Sequence, residues 1–97
     1  GRDIDKQCID AYRFIVENYT PQYEIWMFGL SKGAFIIQSV AGMINNCGII
    51  IPKYDANGNI DRETRVECDD GYETYRSKAN DDRPQSRKHT WATCITC

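Results

Sequence analysis

The residues best placed to do chemistry are Gly29-Leu30-Ser31-Lys32-Gly33, a Gly-x-Ser-x-Gly pentapeptide. An apolar run, Ile25-Trp26-Met27-Phe28, leads into it, and an amphipathic stretch from Ala34 to Asn45 leads out. With those flanks the segment reads as strand, sharp turn and helix, the context in which such a serine acts as a nucleophile. The turn must be tight enough to strain the serine backbone and hold its hydroxyl clear of the sheet. Gly29 and Gly33 lie two residues either side of Ser31, where β-carbons are expected to block the approach of strand and helix. The amide of Lys32 opens the helix, so its N–H can face a developing oxyanion. The hydroxyl also sits at the positive end of the helix dipole. The plainer alternative is a glycine-bounded loop with an N-capping serine. The strand before and the helix after favour the nucleophile.

Other candidates are weaker. The five cysteines, Cys8, Cys47, Cys68, Cys94 and Cys97, are odd in number and widely scattered. That argues against a secreted disulfide framework and favours the cytoplasm. Cys94 and Cys97 form one C-x-x-C; with Cys68 and His89 they match no zinc spacing, so no metal is expected. The segment from Asp55 to Asp61 resembles a calcium loop only in its middle. With Gly58 at the turn glycine, Lys53 falls on the first ligand position and Thr64 on the bidentate glutamate, so calcium is rejected and a surface turn is expected. No cofactor is implied.

The elements that must position Ser31 follow from periodicity. Ile4, Cys8, Ile9, Ala11, Tyr12, Ile15, Val16 and Tyr19 recur at helical spacing, predicting a helix from about Asp3 to Tyr19. Tyr12, Phe14 and Tyr19 are expected in the core. Thr20-Pro21-Gln22 breaks that helix. Ile25 to Phe28 has the unbroken apolar character of a strand buried on both faces of a parallel sheet. The helix after Ser31 is apolar almost all round, interrupted by Gln38 and Ser39, which predicts burial by other elements. Gly48 is a plausible left-handed stop. Glu63 to Asp82 is charged, with Tyr72 and Tyr75 as its aromatic trace; it is either a helix packed over the unit or a mobile insertion. Asn80 to Pro84 is a break, and Gln85 to Cys97 shows no periodicity. The basic cluster Arg83, Arg87, Lys88 and His89 reads as solvated charge. A net charge of −2 argues for no nucleic-acid partner, and no stretch is long and apolar enough to span a membrane.

Several blocks resemble an uncharacterised α/β-hydrolase domain family that includes the catalytic domain of type VI secretion phospholipase effectors. They are Ala11-Tyr12-Arg13-Phe14-Ile15, Tyr19, Glu24 to Gly29, Ser31-Lys32-Gly33-Ala34 and Asn46-Cys47-Gly48-Ile49. They cover about residues 3 to 51, in the family's order and spacing. Leu30 and Lys32 stand where the family usually has phenylalanine and arginine, and Gln38 where it usually has arginine. The resemblance implies a serine hydrolase of ester bonds, with phospholipid as substrate in the effector branch. It makes Ser31 the nucleophile and the Lys32 N–H one oxyanion donor. The acid and base of such a triad follow later in the chain, in the order Ser, Asp, His. Neither His89 nor any of the later aspartates follows a convincing strand, so no base or orienting acid is assigned.

The expected architecture is α/β, a partial α/β-hydrolase of helix, buried parallel strand, turn and helix with a polar irregular C-terminal half. Residues 1–52 form the serine-bearing unit; residues 53–97 are a polar insertion or a truncated continuation of the same domain. Unpaired sheet edges are expected to favour self-association. The expected function is a fragment of a phospholipase- or esterase-like serine hydrolase. The alternative is a non-catalytic remnant serving as an interaction or regulatory module. A nucleotide-binding βα unit is disfavoured, since the chain lacks both Gly-x-Gly-x-x-Gly and the P-loop ending.

Overall fold

Apolar residues at helical spacing near the start of the chain form helix α1 (Arg2–Asn18), which buries Cys8, Tyr12 and Val16 along one stripe. The computed structural model describes residues 2–79 and 90–95. After Pro21 comes strand β1 (Ile25–Leu30), then α2 (Lys32–Cys47), α3 (Arg62–Ala79) and β2 (Thr90–Ile95). The described residues are thus mostly helical, with a two-stranded sheet.

The three helices share one core. Cys8, Tyr12 and Val16 of α1 meet Met27 of β1, Val40 and Met43 of α2, and Cys68 and Tyr72 of α3. The close approach of α2 and α3 rests on glycine: a β-carbon on Gly42 would collide with the Tyr75 ring. Tyr12 ties α1 to the end of α2. Its hydroxyl donates to the Gly48 carbonyl at 2.7 Å and accepts from the Ile50 N–H at 3.2 Å. Two of the blocks that carry the family resemblance therefore touch. Gly48 has φ 73° and ψ −165°, a positive φ outside the left-handed helical well, and its N–H bonds Ile44 O at 2.7 Å.

Several expectations are corrected. β1 is not buried on both faces of a parallel sheet. It pairs antiparallel with β2 in a register running from Ile25↔Ile95 to Leu30↔Thr90. Only Met27 is buried, while Trp26, Phe28 and Leu30 on the opposite face are exposed. The four-residue apolar run therefore has a covering layer on one side only among the described residues. Phe14 is not a core aromatic but 65% exposed, because it lies off the Cys8–Tyr12–Val16 stripe. Ser39, taken as a polar interruption of α2, is fully buried.

The second half of the chain is not irregular. Asp61 starts α3 by accepting the Thr64 N–H at 2.8 Å, the usual work of an N-cap carboxylate. This holds its carboxyl below the ordinary value of 3.8. Thr64 is buried and its hydroxyl accepts the Lys53 N–H at 3.0 Å, anchoring the preceding loop. In that loop the Asp55 carboxylate accepts the N–H groups of Asn57 and Asn59 at 2.9 and 3.1 Å. This is the surface turn expected around Gly58. The break at Asn80 to Pro84 and the cluster Arg83, Arg87, Lys88 and His89 lie outside the described residues.

Candidate active site

Ser31 occupies the single residue between β1 and α2. Its backbone has φ 56° and ψ −117°, and among the described residues it is the only non-glycine with positive φ. Such a conformation carries a strain of about 1–3 kcal/mol for a residue with a β-carbon. Ser31 stands at the N-cap position, yet its side chain makes no capping hydrogen bond. Its carbonyl instead accepts the Ala34 and Phe35 N–H groups at 3.0 and 3.3 Å. The capping alternative is therefore removed: the hydroxyl is exposed and is not used to complete the helix.

The reason for the strain is visible one turn away. A β-carbon on Gly29 would overlap the Gly33 carbonyl group and lie 2.7 Å from the Ala34 nitrogen. The last residues of β1 thus press directly on the first turn of α2, and the chain can reverse between them only through a sharp bend at Ser31. Gly33 differs from the expectation. A β-carbon there would meet nothing within 4 Å, so the close approach rests on Gly29 alone among the described residues.

Lys32 is the first residue of α2. Its N–H belongs to the first helical turn, where amides have no partner within the helix. Its ammonium reaches Asp3 of α1 at 3.0 Å. Asp3 also accepts from Gln7 at 3.0 Å, and the Lys32 hydrogen bond and charge hold its carboxyl below the ordinary value of 3.8. Leu30, beside Ser31, is 68% exposed. The sequence reading missed Asp3 as the partner of Lys32. The two are far apart in the chain, and no spacing rule links them.

No imidazole or carboxylate is recorded against the Ser31 hydroxyl among the described residues. His89 lies outside them, as do Asp81 and Asp82, while Asp69 instead faces Arg13 at 3.8 Å on the α1–α3 side. An apolar cavity of about 670 Å³ is lined by Val16, Tyr19, Ala41, Ile44, Ile49 and Ile50, among others. Ala41 stands ten residues along α2 from Ser31, roughly 15 Å at helical rise. The cavity is therefore at the far end of the helix from the serine. Among the described residues no His, Cys, Asp and Glu side chains gather in a metal-binding group, and no helix is long and apolar enough to cross a membrane.

A strained serine between strand and helix, with its hydroxyl left free, is the arrangement of a domain that presents a nucleophile. The family model of the type VI secretion system (T6SS) phospholipase effector Tle1-like catalytic domain matches residues 1–95, and the chain belongs to this family. It is also similar to the uncharacterized protein YEL023C of Saccharomyces cerevisiae, 40% identical over 47 residues. That match covers 48% of this chain and 7% of the yeast protein. No solved structure matches the chain.

Proposed function

We propose that the chain carries the nucleophile-bearing unit of a lipase-like serine hydrolase, with Ser31 as nucleophile and a phospholipid ester as substrate. One observation carries the reading: the strained backbone and uncommitted hydroxyl of Ser31, immediately before α2. The phospholipid class is supported by membership of the phospholipase effector family. In this reading the β1–Ser31–α2 reversal is a nucleophile elbow and belongs to an α/β-hydrolase fold. Ser31 Oγ attacks the ester carbonyl carbon and its proton passes to a base. The Lys32 N–H donates to the carbonyl oxygen as it becomes an oxyanion. The alcohol leaves, and water then hydrolyses the acyl-serine. Gly29 supports this by allowing the contact that fixes the bend, and Leu30 lies where it would border the bound acyl group.

The base and a second oxyanion donor are not among the described residues, which makes this unit part of a larger catalytic assembly. An unassisted serine hydroxyl is a weak nucleophile at neutral pH. The chain by itself is expected to turn over a fluorescent phospholipid poorly. Efficient turnover lost in both Ser31→Ala and His89→Ala would overturn that expectation and make His89 the base. A second reading, a non-catalytic interaction or regulatory module, is favoured by the exposed face of β1. Undiminished partner binding in Ser31→Ala, with no serine reactivity in the parent, would support it.

A further inference from the structure

The exposed large apolar residues include Phe14 on α1, Tyr23, Ile51 and Tyr54 in loops, and Val66 on α3, each on a different segment. Three others are grouped. Trp26, Phe28 and Leu30 alternate along β1 on the face away from Met27, with exposures of 59%, 73% and 68%. The Trp26 and Phe28 rings are stacked, with centroids 6.3 Å apart and planes 11° from parallel. That stacking flattens the patch and reduces the rotamer freedom lost when it is covered.

We infer that two copies of this chain associate face to face through the apolar side of β1, with Trp26, Phe28 and Leu30 at the centre of the interface. The area argues for a second copy. With aromatic side chains presenting roughly 150–250 Å² each, the three residues leave about 400 Å² of apolar surface open per copy. A stable interface buries about 800 Å² per partner, a little over half of it apolar, so the patch alone meets most of the apolar requirement. A two-fold axis lets one such patch cover itself, and packed sheets at about 10 Å spacing interdigitate alternate side chains. Association through the edge alone is less favoured than the sequence suggests, because β2 already pairs with one edge of β1. The stacked aromatics are the expected hot spot, since large aromatic residues dominate interface energetics.

The test is sedimentation velocity of the chain over a range of concentrations, alongside Phe28→Asp, Trp26→Asp and Phe14→Asp. A reversible monomer–dimer equilibrium in the micromolar range is expected. Phe28→Asp and Trp26→Asp should each weaken it at least about 30-fold, while Phe14→Asp, on α1, should leave it unchanged. In a Trp91→Phe background, Trp26 emission should shift to the blue as concentration rises, a readout that needs no interface variant to fold. A monomer at every concentration, open-ended oligomers, or equal effects of Phe28→Asp and Phe14→Asp would overturn the inference. So would a monomer that partitions onto phosphatidylcholine vesicles through this face, or one in which a longer hydrolase chain buries Trp26 internally.

Discussion

Gly29→Ala and Gly33→Ala change the two glycines of one motif, yet the structure predicts opposite signs for them. At Gly29 the new methyl group would overlap the Gly33 carbonyl group and press on the Ala34 nitrogen. These are backbone atoms of the first turn of α2, so no rotamer change can relieve the contact. Either the turn opens or β1 shifts. Overpacking of this kind typically costs about 1–3 kcal/mol, and the upper end is expected here because the obstacle cannot yield. At Gly33 the methyl group would meet nothing within 4 Å. Alanine in a helix is better than glycine by roughly 0.5–1 kcal/mol. The two substitutions should therefore differ by about 3–4 kcal/mol, with Gly33→Ala the more stable. Urea denaturation monitored by circular dichroism measures both. Midpoints for the two variants that agree, or a Gly29→Ala variant as stable as the parent, would refute the claim that contact at Gly29 forces the bend at Ser31.

Ser31→Gly should raise stability by about 1 kcal/mol, because glycine accepts φ 56° without strain. Ser31→Ala should not; a thermal midpoint unchanged in the glycine variant would show that the backbone is unstrained. Tyr12→Phe leaves the Gly48 carbonyl and the Ile50 N–H without their partner. It should cost about 2 kcal/mol and speed amide exchange at Ile50; unchanged exchange there would count against the latch. Burial raises the Cys68 thiol from 9.0 to about 11, and Cys8 is raised by the same cause. The folded chain thus keeps protons that the unfolded chain releases. Stability should be full below about pH 9 and fall as pH rises toward 11, by about 3 kcal/mol from Cys68. A denaturation midpoint constant across that window would contradict it.

The first half of the fold was legible because its signals are local. The apolar stripe of α1, the proline break and the glycine stop after α2 each declare themselves within a few residues. The reversal at Ser31 was legible for the same reason. What escaped the sequence depends on contacts between distant segments. An apolar run such as Ile25 to Phe28 reads alike whether its neighbour is parallel or antiparallel, and β2 follows a charged segment with no periodicity. Helix α3 buries Thr64, Cys68 and Tyr72, four residues apart, but only tyrosine among them is strongly apolar. That spacing, with Asp61 three residues before Thr64, was the available signal. At the site, the motif gave both glycines equal weight. Only the packing of β1 on α2 separates Gly29 from Gly33, and only the placement of α1 brings Asp3 to Lys32.

The central claim is that Ser31 presents a free hydroxyl for nucleophilic attack. It is tested most directly by treating the purified chain with an alkyl fluorophosphonate and locating the adduct by peptide mass spectrometry. The chain also contains Ser39, Ser77 and Ser86 as internal controls. A slow, single modification at Ser31, absent in Ser31→Ala and suppressed in Gly29→Ala, is the predicted result. Modification spread evenly over the exposed serines, or undiminished in Ser31→Ala, would contradict it.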